Sequence, residues 1–209
     1  VADMHNNGGF ISLEDLKSYK PRFSEPIRTA YRGHPIFAPR PPSGGAIVVL
    51  DALNILENFD LARYTSNSTV TYHLLAEALR RGHMDRSRHI GDPSFYDVPV
   101  EVIISKKRAR ELAKTINFKS ASSYKSMSPD DFLEESKDTT HYSIVDEDGN
   151  AVSNTFTLGY SFGSGVTIPG TGVLMNNHMN NFAYRYGDKS IRGRTASPAN
   201  KFDSGKRPM

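Results

Sequence analysis

The apolar residues of this chain change their spacing partway along. Up to about Ser136 they recur at the three- and four-residue steps of helices, and beyond it they alternate as in strands. Near the start, Ser12-Leu13-Glu14-Asp15 has the form of a helix N-cap, and Lys20-Pro21 closes the short helix that follows. Two β-prone runs, Ile27 to Tyr31 and Pro35 to Ala38, flank Arg32-Gly33-His34 and predict a hairpin. The stiff stretch from Pro39 to Gly45 leads into Ile47, Leu50, Leu53, Ile55 and Leu56, which fit a helix starting near Gly45. A longer helix is predicted from about Ser68 to His89, with Leu74, Leu75, Ala78 and Leu79 on one side and the charges on the other. Ser105 to Thr115 predicts a further amphipathic helix, and the polar stretch from Phe118 to Lys137 reads as an exposed linker.

Beyond that linker, His141 to Val145 and Ala151 to Leu158 read as strands joined by Asp146-Glu147-Asp148-Gly149-Asn150, a strong turn signal. The expected class is therefore α+β, mainly helical in the first half and β-rich and Gly-rich in the second, with no internal repeat.

Composition narrows the function classes. With 209 residues and 37% hydrophobic content, the chain can bury one sizeable core or parts of two. The 26 basic and 23 acidic residues leave a net charge of +3, spread along the chain apart from short clusters, so nucleic acid is not the expected partner. No apolar run approaches the roughly 18 to 20 residues that span a bilayer, and Val1-Ala2-Asp3-Met4 lacks the form of a signal peptide. The lack of cysteine removes disulfides, thiol catalysis and thiolate metal sites. The seven histidines are scattered without HExxH or clustered ligand spacing, and His83 and His89 do not share a helix face, so neither a metal nor another cofactor is expected. Phe162-Gly163-Ser164-Gly165 lacks the setting of a phosphate loop and reads as turn geometry.

The chemistry concentrates at Lys137-Asp138-Thr139-Thr140-His141-Tyr142-Ser143, where the polar linker runs into a strand. By itself, Thr-Thr before a strand is ordinary β-propensity. It is followed in order by Asp148-Gly149-Asn150-Ala151-Val152, Phe162-Gly163-Ser164-Gly165, Pro169 through Asn177 and Gly205-Lys206-Arg207-Pro208. It is preceded by Asn7-Gly8-Gly9-Phe10-Ile11, Tyr31-Arg32-Gly33, Pro41-Pro42-Ser43-Gly44-Gly45, Leu53-Asn54-Ile55-Leu56-Glu57 and Asp85-Arg86-Ser87. That ordered set, spanning essentially the whole chain, resembles the γ-glutamyltranspeptidase family of N-terminal nucleophile hydrolases.

The resemblance implies a partial αββα sandwich and a precursor that cuts itself between Asp138 and Thr139. Residues 1–138 would be the C-terminal part of the large subunit, and residues 139–209 the N-terminal part of the small, catalytic subunit. Thr139 would be the nucleophile, with its freed α-amino group as base, because an amine with a reference pKa of about 7.7 to 8.0 accepts a proton near neutrality. Thr157 matches a second threonine that hydrogen-bonds the nucleophile in the family; the competing reading is a solvent-facing strand residue. The implied activity is γ-glutamyl transfer or hydrolysis of compounds such as glutathione, with an amino acid, peptide or water as acceptor. A periplasmic or extracellular location is implied as well.

Three positions implied to bind the substrate's α-amino and α-carboxylate groups depart from the family pattern. Gly159 stands where asparagine is usual, His178 where glutamate or glutamine is usual, and Asn181 where an aspartate meets the ammonium. A neutral amide makes bonds to an ammonium roughly half as strong as a carboxylate's, so amino-group recognition should weaken. His178 also reads as a hydrogen-bonded loop histidine. These departures raise two alternatives: a glutaryl-type amide acylase on the same scaffold, or an unprocessed, non-catalytic family member. Arg185, Arg192 and Arg194, with Tyr184 and Tyr186, fall in a segment that forms a lid in many members, although exposed loop residues read equally well. Judged by the resemblance, the chain begins after a carboxylate-binding arginine and stops before a serine pair and the two oxyanion-hole glycines. The isolated 209 residues are then expected to process and turn over poorly.

Overall fold

The computed structural model describes residues 1–122, 139–183 and 197–209. The chain divides into a helical unit, drawn from Glu25–Leu133 and Asn180–Met209, and a hairpin unit, drawn from Val1–Ser24 and Glu134–Met179.

In the helical unit, β1 (Ile27–Tyr31) and β2 (His34–Ala38) form an antiparallel hairpin. Its turn is two residues, Arg32 (φ 50°) and Gly33 (φ 83°), rather than the three expected. Two successive positive φ values match the tight turns whose twist suits a hairpin. Among the described residues four α-helices follow: α3 (Gly44–Leu56), α4 (Thr69–His89), the short α5 (Val100–Ile103), which no periodicity announced, and α6 (Lys106–Lys114). The side chain of Ser68 caps α4 by accepting the Thr71 N–H at 3.2 Å, and Ser105 caps α6 by accepting the Arg108 N–H at 3.2 Å.

The core lies in two clusters around α3. Ala52, Ile55 and Leu56 meet Leu74 and Ala78 of α4 and Ala109 and Ala113 of α6. Ile47 and Leu50 meet Ile27, Ile90, Val100, Ile103 and Ile104. Helices α3 and α4 approach closely at Gly82, where a Cβ would sit 2.9 Å from the Val48 carbonyl oxygen.

The buried stripe of α4 is Leu74, Glu77, Ala78, Arg81, Gly82 and Asp85, so Leu75, expected inside, is 40% exposed. That stripe follows the helical period but carries charge, and each charge is paired. Glu77 accepts from Arg81 Nη1 at 2.7 Å, from the Ser122 N–H at 3.0 Å and from Ser122 Oγ at 2.5 Å. Burial alone would raise the Glu77 carboxyl, but the bonds from Ser122 and Arg81 outweigh it and hold it down at about 2. Residues 118–122 are therefore not merely a linker: Phe118 also packs edge-on against Phe59, with ring centroids 5.9 Å apart. Residues 123–138 of the expected linker, Asp138 included, lie outside the described residues.

A second charged group joins three helices. Arg108 of α6 holds both oxygens of Asp85 at 2.9 and 2.7 Å and lies 3.6 Å from Asp51 of α3. Burial and the neighbouring Asp85 push the Asp51 carboxyl up to about 7, against the opposing pull of Arg108.

In the hairpin unit, α2 (Leu13–Ser18) starts at the capping box read from the sequence: Ser12 Oγ accepts the Asp15 N–H at 3.1 Å, and Asp15 accepts the Ser12 N–H at 2.8 Å. A short α1 (Ala2–Asn6) precedes it. β3 (Thr140–Val145) and β4 (Ala151–Phe156) pair antiparallel, Thr140 opposite Phe156 and Val145 opposite Ala151.

The α+β composition is as expected, but the β-rich second half narrows. Among the described residues after 139 it comprises this one hairpin and the isolated bridges Thr167–Leu174 and Ala183–Lys201. Positive-φ glycines at 163, 165, 170 and 172 turn the backbone before longer strands form.

The Asp51 carboxyl should leave a signature in the pH dependence of stability. Its folded pKa lies above the unfolded 3.8, so between about pH 4 and 7 the unfolded state releases a proton that the fold retains, and stability falls as pH rises. Asp51→Asn removes this slope. Urea midpoints are expected to match the wild type near pH 4 and to exceed it increasingly up to pH 7, with a constant difference above.

Candidate active site

The turn between β3 and β4 is organised by one carboxylate. Asp146 accepts the backbone N–H groups of Asp148 at 3.1 Å and Asn150 at 2.8 Å, and the Asn150 side-chain amide at 2.9 Å. The bonds from Asn150 lead in holding its carboxyl below the usual carboxylate range. With this end closed, the register fixes the other. Thr140 opposite Phe156 is the last pair, and Thr139 and Thr157 are the residues just beyond it at the open end.

Thr139, Thr140, Phe156, Thr157, Leu158, Tyr160 and Ser161 line a cleft of about 450 Å³ there. Thr139 is exposed and Thr157 half-buried. The cleft thus presents five side-chain hydroxyls beside the apolar faces of Phe156 and Leu158. A hydroxyl at a strand end, exposed at the rim of a concave surface, is placed to attack a carbonyl carbon once a base takes its proton.

The wall behind Thr157 is a tight turn. The Thr157 hydroxyl oxygen accepts the Gly159 N–H at 3.0 Å, and Gly159 takes a φ of 99°. Asn177 braces the turn at two points: its N–H donates to the Leu158 carbonyl at 2.9 Å, and its Oδ1 accepts the Tyr160 N–H at 3.0 Å. A Cβ on Gly159 would collide with that Oδ1 and come within 3.3 Å of His178 Cδ2. The backbone N–H of His178 donates to Asn176 Oδ1 at 3.0 Å and opens the 3-10 turn His178–Asn181.

The structure thus brings Thr139 and Thr157 to one cleft and sets Gly159 and His178 side by side at the turn beyond Thr157. Asn181 belongs to the helical unit, where its carbonyl accepts from the Asn200 side chain at 2.6 Å. Residues 184–196, with the arginines and tyrosines of the expected lid, lie outside the described residues. Asn177, Tyr160 and Ser161 escaped the sequence reading; the one available signal for Asn177 was the Asn-Asn pair before His178.

The chain is 39% identical over 208 residues to the glutathione hydrolase proenzyme of Escherichia coli (strain K12), covering 99% of this chain and 36% of that protein. It is 42% identical over 179 residues to the acylase ACY 1 proenzyme of Pseudomonas sp. (strain SE83), covering 86% of this chain and 32% of that one. Among solved structures, the cephalosporin acylase from Bacillus halodurans superposes with a TM-score of 0.75 at 32% identity, covering 100% of this chain and 34% of that one. These relatives are named as a hydrolase proenzyme, an acylase proenzyme and an acylase, and the chain spans about a third of their length. The family profile of gamma-glutamyltranspeptidase matches residues 1–209, and the chain belongs to that family.

Gly159 provides a direct test of the turn. Gly159→Ala would force a side chain into a positive-φ conformation and against Asn177, at a cost of about 1 to 3 kcal/mol, read as a lowered urea midpoint. Asn177→Gly alone, which removes the side-chain half of the brace but adds no collision, is expected to cost less.

Proposed function

We propose that this chain carries the nucleophile of an amide hydrolase that works through a threonyl acyl-enzyme. The observation carrying this reading is that Thr139 and Thr157, which lie just beyond the last strand pair, Thr140 and Phe156, line one cleft at the open end of the hairpin. In the first step, the Thr139 hydroxyl attacks the Asp138 carbonyl carbon, the peptide C–N bond breaks, and an ester forms while the nitrogen gains the proton. Water then opens the ester, leaving residues 1–138 as part of the large subunit and Thr139 as a new N-terminus.

The freed amine, with a reference pKa of about 7.7 to 8.0, accepts the hydroxyl proton in each later turnover. The Thr139 oxygen takes the acyl group from the donor amide, the donor amine leaves, and water or an amine acceptor releases the acid or the transfer product. Thr157 is assigned to hydrogen-bond Thr139 across the hairpin. The sequence resemblance and the glutathione hydrolase relatives support γ-glutamyl amides such as glutathione as donors, and the name proenzyme carried by these relatives accords with the cut.

A second reading concerns the donor. Gly159 and His178 sit together at the turn beyond Thr157, and Asn181 offers a neutral amide where an aspartate is the family's habit. A donor without a free α-amino group, such as a glutaryl amide, fits these residues, and two relatives are named as acylases.

Replacing Thr139 by alanine is expected to leave a single intact chain by mass spectrometry and to abolish turnover. Normal cleavage after Asp138 in that variant would end the proposal. Initial rates on γ-glutamyl and glutaryl anilides separate the two readings: the first expects the γ-glutamyl compound to lead, and the second expects the glutaryl compound to lead, with Asn181→Asp shifting the ratio toward γ-glutamyl about tenfold, the scale of one charge-assisted bond.

A further inference from the structure

The hairpin carries a histidine for which the proposed chemistry has no use. His141 lies near the start of β3, two residues after Thr139. Its partner across the hairpin is Thr155, near the end of β4 and two residues before Thr157. The imidazole does not merely stand on this surface. Its Nδ1 lies 2.6 Å from Thr155 Oγ1, and its Nε2 lies 3.2 Å from Ser153 Oγ and 3.4 Å from Ser143 Oγ. One ring therefore engages three hydroxyls, two of them on the opposite strand. Each hydroxyl can donate or accept, so either neutral tautomer can be satisfied at both nitrogens.

A two-stranded hairpin is marginal by itself, and its backbone ladder leaves strand ends to fray. Cross-strand side-chain bonds one step from the open end limit that fraying. We infer that His141 is a positioning residue for the Thr139–Thr157 pair: through Thr155 and Ser153 it locks β4 against β3 and keeps the two threonines opposite each other. The inference rests on the assignment of Thr139 as nucleophile. His141 is itself exposed, and surface contacts of this kind contribute little to global stability. A small misplacement of a nucleophile, by contrast, can cost on the order of a hundredfold in rate. The signature is thus a fall in kcat that stability does not share.

The test uses the intact protein with a chromogenic anilide donor and five variants: His141→Ala, His141→Gln, Thr155→Val, the His141→Ala/Thr155→Val double and Thr139→Ala. His141→Ala is expected to lower kcat about 10- to 100-fold, with KM within twofold and the melting temperature within about 2 °C of wild type. His141→Gln, which keeps a donor and an acceptor, should recover most of the loss. Thr155→Val, of the same shape without the hydroxyl, should reproduce most of it even if His141→Ala fails to accumulate. The double variant should be no worse than His141→Ala, because both remove one link.

A kcat within twofold of wild type in His141→Ala or Thr155→Val overturns the inference. So does a loss that follows the melting temperature without rescue by glutamine. Turnover in Thr139→Ala overturns the nucleophile assignment itself, whereas an inactive Thr139→Ala beside unaffected His141 and Thr155 variants overturns only the positioning role.

Discussion

The register of β3 against β4 decides which side chains meet at the open end of the hairpin. In an antiparallel pair, a slip of one residue sends every side chain of one strand to the other face, and Thr139 would then lose Thr157. Three features oppose such a slip. The Asp146 carboxylate gathers the turn through bonds to Asp148 and Asn150. One face collects His141, Ser143, Ser153 and Thr155, while the other collects Tyr142, Ile144, Val152 and Phe156. Tyr142 and Phe156 also make an edge-on aromatic contact at 6.3 Å that a shifted register would disrupt.

The helical unit is specified differently, by charge placed where apolar contact alone would allow sliding. Glu77, Arg81 and Asp85 lie on the stripe of α4 that meets its neighbours, and Arg108 of α6 reaches both Asp85 and Asp51 of α3. Groups of this kind add little net stability compared with a hydrophobic substitute, but removing one member strands the others away from water. Gly82 sets the closeness of the α3–α4 crossing, and the charges set its angular position.

Much of this was legible in the sequence. The capped helices at Ser12, Ser68 and Ser105 and both hairpins follow from local signals: a small hydroxyl side chain ahead of a helical run, or glycine between β-prone stretches. Thr139 and Thr157 came from the family resemblance and not from local signals, by which Thr-Thr before a strand is ordinary β-propensity. Elsewhere, tertiary contacts decided the outcome. Leu75 is a better core residue than Glu77 on any hydrophobicity scale, yet the helical phase buries Glu77 because Arg81 and Ser122 satisfy it. Asn177 stands in the Asn-Asn pair before His178, but that pair does not reveal the turn it braces 17 residues earlier. Glycines between 163 and 172 cut short strands that composition favoured, since positive φ ends a ladder whatever the propensity of its neighbours.

The compactness of the Asp146 turn also bears on the order of events as the chain folds. All contacts of this hairpin lie within 20 residues of one another in sequence, from Thr139 to Thr157. Hairpins of this size close on the order of 1 to 10 μs, whereas contacts such as Ser197 Oγ to the Arg88 carbonyl join positions 109 residues apart and must await the rest of the chain. The hairpin register is therefore among the first arrangements the polypeptide samples. Its pairing is a local property of the Asp146 turn, decided before contacts as distant in sequence as Ser197 to Arg88 can form.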